Sequence, residues 1–441
     1  MLRLNEWDRQ TWRLVVPIIL TNITIPLLGI VDTAVVGHLP GPHYLGAVAV
    51  GSLVFSIVYA SMFFLRMGTT GLTSQAVGAN DDNEVRAWMV RGCLLAVVIG
   101  LALIALQLPI AVLIFSWTGG SDDVLPLAES YFFIRIWSAP ATLLNFVILG
   151  WFIGIQNTRP ALLTQLLLNC TNIILDLWFV IGLGFGVAGV AYATLISEIA
   201  GALFGLWLVH RYALPMAGQW NFADALKKNE LLRMLQINGN IFIRSLCLQI
   251  SFFAFTAYGA RQSDVILASN TILLKFTMFT AYALDAFANA AEALAGKAYG
   301  ANNRNHFRAA VLASSRWALL FSLLFALIFL ATGPVLIDAL TSVEAVRQTA
   351  RLYLPWLVVS PLVAVWSFQL DGIYVGATKT VIMRNAMLIS MVVFFLSLLL
   401  LVPAMGNHGL WLAFMIFFAM RGLTLGAWYP RIEKSLNPAA S

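Results

Sequence analysis

Charge is what this chain has least of. Asp, Glu, Lys and Arg make up 10% of its 441 residues, against 60% hydrophobic. A soluble chain of this length divides into domains with charge over every surface, so this scarcity excludes that class. Cysteine is nearly absent. Cys93, Cys170 and Cys247 are scattered in or beside apolar runs, with no metal spacing and no disulfide framework, and read as small buried hydrophobes. There is no HExxH pair, no GxSxG nucleophile elbow and no Walker A loop. The Gly296–Lys297 pair lacks the glycine five residues earlier. A hydrolase or an ATP-driven pump therefore has no support. The net charge is +6, but the basic residues flank apolar runs and form no aromatic-interleaved stripe, so nucleic acid is not expected as a partner. No cleavable leader is evident. The segment MLRLNEWDRQTWR is polar and basic, and the first apolar run is long enough to stay in a bilayer.

What is abundant is long apolar stretches, such as 94–115, 161–181, 309–331 and 387–404. They have the roughly 18–25 residues needed to cross about 30 Å of hydrocarbon, and most show no polar face at helical spacing. About twelve spans follow: 14–35, 45–66, 89–112, 127–150, 161–181, 187–208, 238–259, 264–290, 309–331, 347–371, 381–403 and 408–428. Basic residues alternate between the connections. The N-terminus and the even-numbered loops hold Arg3, Arg9, Arg13, Arg86, Arg91, Arg159, Lys227, Lys228, Arg304 and Arg308, and the tail is read with Arg421, Arg431 and Lys434. The odd loops are nearly bare, with Arg261 and Arg347 as exceptions. The positive-inside rule then places both termini in the cytoplasm. Trp12, Trp220, Trp411 and Trp428 fall near span ends, where interfacial anchors belong. The expected organisation is a six-helix lobe over 1–210, a basic cytoplasmic linker over 211–236, a second lobe over 237–430 and a tail over 431–441.

The two halves are related. At a shift of 222, AVGANDDNEVRA at 76–87 lies on AYGANNRNHFRA at 298–309, and GWFIGIQNT at 150–158 on GIYVGATKT at 372–380. Ala76, Gly78, Ala79, Asn80, Asn83, Arg86 and Ala87 are identical to their partners, and Gly150, Gly154 and Thr158 meet Gly372, Gly376 and Thr380. Two separate segments sharing one offset indicate duplication. Halves with even helix counts enter the membrane in the same direction, which makes the repeat parallel. This is an architecture of secondary transporters that rock one half against the other about a site between them.

An ionisable side chain within a span is costly and is a functional candidate. Asp32 lies in span one and Asp176 in span five, with Asn172 one helical turn before Asp176 and Thr194 in span six. This oxygen set can exchange protons, or hold Na⁺ with Asn172 and Thr194 as neutral ligands. At the 222 shift Asp32 falls on Ala254 and Asp176 on Leu398, so the acids belong to the first half alone. Pro17 and Pro26 share span one with Asp32 and allow a bend there. The second half has its own polar set: Arg244, Lys275, Asp285, Glu292 and Asp371. Asp285 and Glu292 share a helical face, and Arg244 and Lys275 are placed to neutralise them, either as internal salt bridges or as a substrate contact. His38 and His43 read as solvated loop residues.

PIILTNITIPLLGIVDTAVVGHL at 17–39, GLTSQAVGAN at 71–80, NIILDLWFVIGLGFGVAGVAYAT at 172–194, DAFANAAEALAGKAYGAN at 285–302 and LDGIYVGATKT at 370–380 together carry a resemblance. Over nearly its whole length the chain resembles the multidrug and toxic compound extrusion (MATE) family, and within it the DNA-damage-inducible branch. The resemblance implies an all-α, V-shaped pair of six-helix lobes, acting as a monomer in the bacterial inner membrane. Such a protein exports small lipophilic or cationic amphiphiles in exchange for H⁺ or Na⁺ and needs no cofactor. It also implies that Asp32, Asn172, Asp176 and Thr194 form a coupling site and that span one bends at Pro17. Asp371 and Glu292 do not clearly match the acids through which some relatives couple in the second lobe. The alternative function is a flippase for a lipid-linked precursor.

Overall fold

The structure is a computed structural model that describes residues 5–118, 121 and 123–437. Twelve long helices account for almost all of them. They are α1 (Glu6–Gly37), α2 (Pro42–Gly78), α3 (Asp82–Ala105), α4 (Leu125–Gly154), α5 (Arg159–Gly182), α6 (Gly186–Ala213), α7 (Lys228–Ala260), α8 (Asp264–Gly300), α9 (Arg304–Leu340), α10 (Glu344–Gly376), α11 (Thr380–Met405) and α12 (Asn407–Lys434). All but α1 are apolar enough over 18 residues to cross a bilayer, and the 32 residues of α1 span about 48 Å at 1.5 Å per residue. Among the described residues there is no β-strand, and the one β-type pairing is an isolated bridge between Asn303 and Asn437.

The repeat is structural. Adding 222 to the bounds of α2 gives 264–300, the bounds of α8, and adding it to the end of α4, 154, gives 376, the end of α10. The turn conformations repeat as well. Asn80 and Asn302 have φ of 55° and 51°, and Gln156 and Thr378 have 60° and 52°. These left-handed residues end paired helices and reverse the chain, which is a costly conformation outside glycine and asparagine. Helix packing follows the same offset. A Cβ on Gly150 would overlap the Arg66 carbonyl oxygen, and one on Gly372 would overlap the Ala288 carbonyl oxygen, with 66 + 222 = 288. Small residues let two backbones come this close inside a bilayer, where packing rather than water drives association.

The chain forms two compact units. One holds 17–77 and 81–235; the other holds 1–16, 78–80 and 236–441. In the first unit an apolar core gathers Val36, Phe55, Phe115, Tyr131, Phe132 and Val190. The second is built on Phe255, Leu398, Phe394, Trp411, Phe414 and Phe417. The N-terminal segment clusters with the second half. Asp8 is buried and accepts from Arg316 and, at 3.0 Å, from Trp317 Nε1. Trp12 stands edge-on to Trp317, ring centroids 5.1 Å apart.

Two features differ from the sequence reading, Trp411 and Arg421, while residues 211–236 are held by side chains of α3. Arg91 is buried on α3, pairs with Glu84 at 2.6 Å, and donates to the carbonyls of Asp224 and Ala225 at 2.9 Å each. Arg86 holds the carbonyls of Ala213 and Met216 in the same way. These arginines of α3 therefore fasten the connection. Trp411 is no interfacial anchor: it is fully buried and donates to Asn270 at 2.9 Å. Arg421 is not in a solvated tail but buried within α12.

Candidate functional site

The four residues singled out in the first half converge within one unit. Asp176 ends the regular part of α5, and the helix then widens into a π-helical segment over Leu177–Gly182. Such turns are rare and frequently mark functional positions. Asn172 and Asp176 share a face at i, i+4, and both are completely buried. With its amide oriented to suit its partners, Asn172 donates to Asp176 Oδ2 at 2.9 Å and accepts from the Thr194 backbone N–H at 3.3 Å. The Thr194 hydroxyl donates back along α6 to the Val190 carbonyl at 3.0 Å. Asp32 reaches over from α1 and comes close enough to Asp176 for the two carboxyl groups to act on each other.

Two further ionisable residues sit around this pair, and the sequence reading passed over both. Arg135 on α4 is close enough to Asp32, Asp176 and Glu198 to act on all three electrostatically. Its Nη1 donates to the Tyr131 hydroxyl at 2.6 Å, and its guanidinium lies 4.7 Å from the centre of the Phe55 ring. Glu198, one turn beyond Thr194 on α6, accepts from Asn145 Nδ2 at 2.7 Å. Both fall inside predicted spans, so the rule that selected Asp32 and Asp176 applied to them equally. Tyr59 completes the polar lining, its hydroxyl 3.4 Å from Ser138 Oγ.

Of the two prolines, Pro17 lies in α1 at the boundary between the two compact units, which falls between Val16 and Pro17. Its carbonyl accepts from the Thr21 hydroxyl at 2.9 Å. The side chain of Pro26 lies outside the described residues.

The second half treats the equivalent place differently. Asp32, Asp176, Asn172 and Arg135 shift by 222 onto Ala254, Leu398, Phe394 and Leu357, all members of one packed apolar core. The fold therefore does not require polar groups at these positions.

The polar set of the second half regroups around Asp371. Asp371 Oδ2 on α10 accepts from Arg244 on α7 and, at 2.6 Å, from Arg421 on α12. All three are buried, and the cluster ties three helices together. The expected neutralisation of Asp285 and Glu292 by Arg244 and Lys275 is not what forms. Arg244 is turned to Asp371 because that carboxylate is the anion within reach of its guanidinium, and Lys275 is exposed on α8. Asp285 faces Arg421 electrostatically, while Glu292 is buried where α8 packs on Gly376. The missing member was Arg421, which had been counted as a tail residue.

A duplicated bundle of long helices, eleven of them among the described residues long and apolar enough to cross a bilayer, defines the class as a polytopic membrane transporter. The chain belongs to the MatE family, whose model matches residues 17–178 and 241–400, two stretches that end 222 residues apart. It is 42% identical over 431 residues to DNA damage-inducible protein F of Escherichia coli strain K12, an alignment that covers 98% of this chain and 94% of that protein. It is 23% identical over 267 residues to the multidrug export protein MepA of Staphylococcus aureus, covering 60% of this chain and 58% of that one. Its fold matches a crystal structure of MATE in the bent conformation with a TM-score of 0.89 at 22% identity, covering 98% of this chain and 96% of that one.

Proposed function

We propose that the chain is a secondary active antiporter that exports small lipophilic or cationic compounds in exchange for H⁺. The observation that carries this reading is the approach of Asp32 to the buried Asp176, in a place whose counterpart in the other half is apolar. A shared proton between two acids is a loadable and releasable charge. Proton uptake closes the pair; proton loss leaves two carboxylates that repel each other and draw on Arg135. The change acts on α1, α5 and α4 together. Loading from the outer side would weaken the hold on a cationic substrate, and release to the cytoplasm would reset the cycle. Pro17, at the unit boundary on the helix that bears Asp32, is the natural place for α1 to bend.

The same oxygens also suit Na⁺, and the approach of the two carboxyl groups is what favours a proton. The protein works as a monomer without a cofactor and is not an enzyme. The basic even-numbered loops support a reading with both termini in the cytoplasm of a bacterium and the chain in its inner membrane. The flippase reading needs free cations for a polyanionic substrate, and the two buried guanidiniums of the second half are committed to Asp371.

The test is transport of an amphiphilic cation by purified protein in proteoliposomes under separately imposed H⁺ and Na⁺ gradients. Asp32→Asn and Asp176→Asn should each abolish efflux driven by a pH gradient while the proteins elute as folded monomers. Undiminished proton-driven transport by both variants would overturn the assignment, and transport driven only by Na⁺ would reassign the ion.

A further inference from the structure

In the second half, α9, α10 and α12 leave a groove of about 940 Å³ between them. Its walls are apolar side chains such as Leu312, Trp366 and Leu423, each well exposed along the groove. Its α12 wall carries Ala419, Gly422 and Gly426, small residues on one helical face that keep the groove open. A Cβ on Gly426 would find only Leu370, at 3.9 Å.

Two observations make this more than bare lipid-facing surface. Gln369 lines the groove, is 1% exposed, and has no hydrogen-bond partner for either its amide nitrogen or its amide oxygen. Buried amides are almost always satisfied, so this one is poised for a ligand that both accepts and donates. The second is the charge at one end. Arg308 and Arg316 line the groove where α9 begins, with Tyr429 and Glu433 opposite on α12. Arg316 also holds Asp8, and Glu433 is held by Arg304, which leaves the exposed Arg308 as the cation facing the mouth. Arg308 and Arg316 are eight residues apart, so the cationic end extends about 12 Å along α9 before the groove becomes wholly apolar. Cation at the mouth, amide beneath it and hydrocarbon below is the polarity of a phospholipid: phosphate, glycerol ester and acyl chain.

We propose that this groove is a binding site for an anionic glycerophospholipid. Its phosphate would sit at Arg308, an ester carbonyl and a headgroup hydroxyl at Gln369, and an acyl chain along Leu312 and Trp366 over Gly422 and Gly426. By the basic-loop pattern, this end faces the cytoplasmic leaflet, where anionic headgroups attract basic residues. The site shares no residue with the acid pair and does not depend on the transport reading.

Native mass spectrometry of the full chain in detergent, after incubation with equal dioleoyl-phosphatidylglycerol and dioleoyl-phosphatidylcholine, tests it. The protein should retain one phosphatidylglycerol several-fold more often than phosphatidylcholine. Arg308→Gln should bring that ratio close to one while lipid is still carried. Gly426→Leu, which fills the groove, should strip the retained lipid of either kind, and Ala419→Leu does the same if the first variant does not fold. Equal retention of the two lipids by the unaltered chain would overturn the proposal. So would filled-groove variants that keep their lipid, or full displacement of phosphatidylglycerol by glycerol 3-phosphate at the same concentration, which would make a soluble phosphate the occupant.

Discussion

Asp371→Asn separates a structural charge from a working one. The carboxylate is 4% exposed and is the shared acceptor of Arg244 and Arg421, the latter at 2.6 Å. Asparagine keeps the shape but removes the anion, leaving two guanidiniums in low-dielectric surroundings and close enough to repel each other. Opposite charges about 4 Å apart interact by roughly 4 kcal/mol at an effective dielectric constant near 20, and breaking a buried pair on one side typically costs about 3–5 kcal/mol. For a unit the size of this second half, that corresponds to a fall of about 6–20 °C in apparent Tm. The assay is thermal unfolding of the detergent-purified protein followed by size-exclusion, with transport measured at a temperature where the variant is still folded. Transport per folded molecule should be retained, in contrast to Asp176→Asn. Adding Arg421→Met to Asp371→Asn should restore part of the stability, because one unpaired buried charge is removed and the two sites are coupled. An Asp371→Asn protein as stable as the parent, or a stable one that has lost proton-driven transport, would refute the structural assignment.

Two further outcomes follow from the packing. Gly150→Ala and Gly372→Ala each push a methyl group onto a backbone carbonyl of the facing helix, Arg66 in one half and Ala288 in the other. Each should cost about 1–3 kcal/mol or more through overpacking, by similar amounts, as read by apparent Tm; a neutral change in either would show that the helices separate freely there. Arg91→Ala removes the side chain that holds the carbonyls of Asp224 and Ala225. Trypsin should then cut at Lys227 or Lys228 several-fold faster, and an unchanged cleavage rate would mean that the connection is held by other contacts.

Much of the fold was legible because a bilayer simplifies the reading. Every backbone polar group must be satisfied within a span, so length and hydropathy alone picked out the helices, and two offset matches exposed the duplication. The same logic found Asp32, Asn172 and Asp176. It failed where a charge was assigned by its distance along the chain. Arg421 lies near the C-terminus and was grouped with Arg431 and Lys434, although the apolar run around it, WLAFMIFFAMRGLTLG, places it within a span. Arg135 and Glu198 lie inside predicted spans as well, and Glu198 falls on Met420 at the 222 shift, so the same two criteria apply to it. No rule of periodicity predicts which buried cation answers which buried anion. Arg244 lies 127 residues from Asp371, and only the assembled bundle brings them together.

The comparison between halves bears most directly on function. Duplication preserved what a bilayer bundle needs: the left-handed residues at 80 and 302 and at 156 and 378, and the glycines that let helices touch. Each of these positions is fixed by backbone geometry, so each must recur when the geometry recurs. The positions of Asp32, Asn172, Asp176 and Arg135 obey no such need, since the second half fills them with Ala254, Phe394, Leu398 and Leu357 and packs well. A buried acid that the fold can do without carries a desolvation cost at every stage of assembly. Its presence in only one half is what the proposed coupling there accounts for. The same comparison sets Asp371 apart: Arg244 and Arg421 both donate to its carboxylate within the lobe, so its charge is paired there.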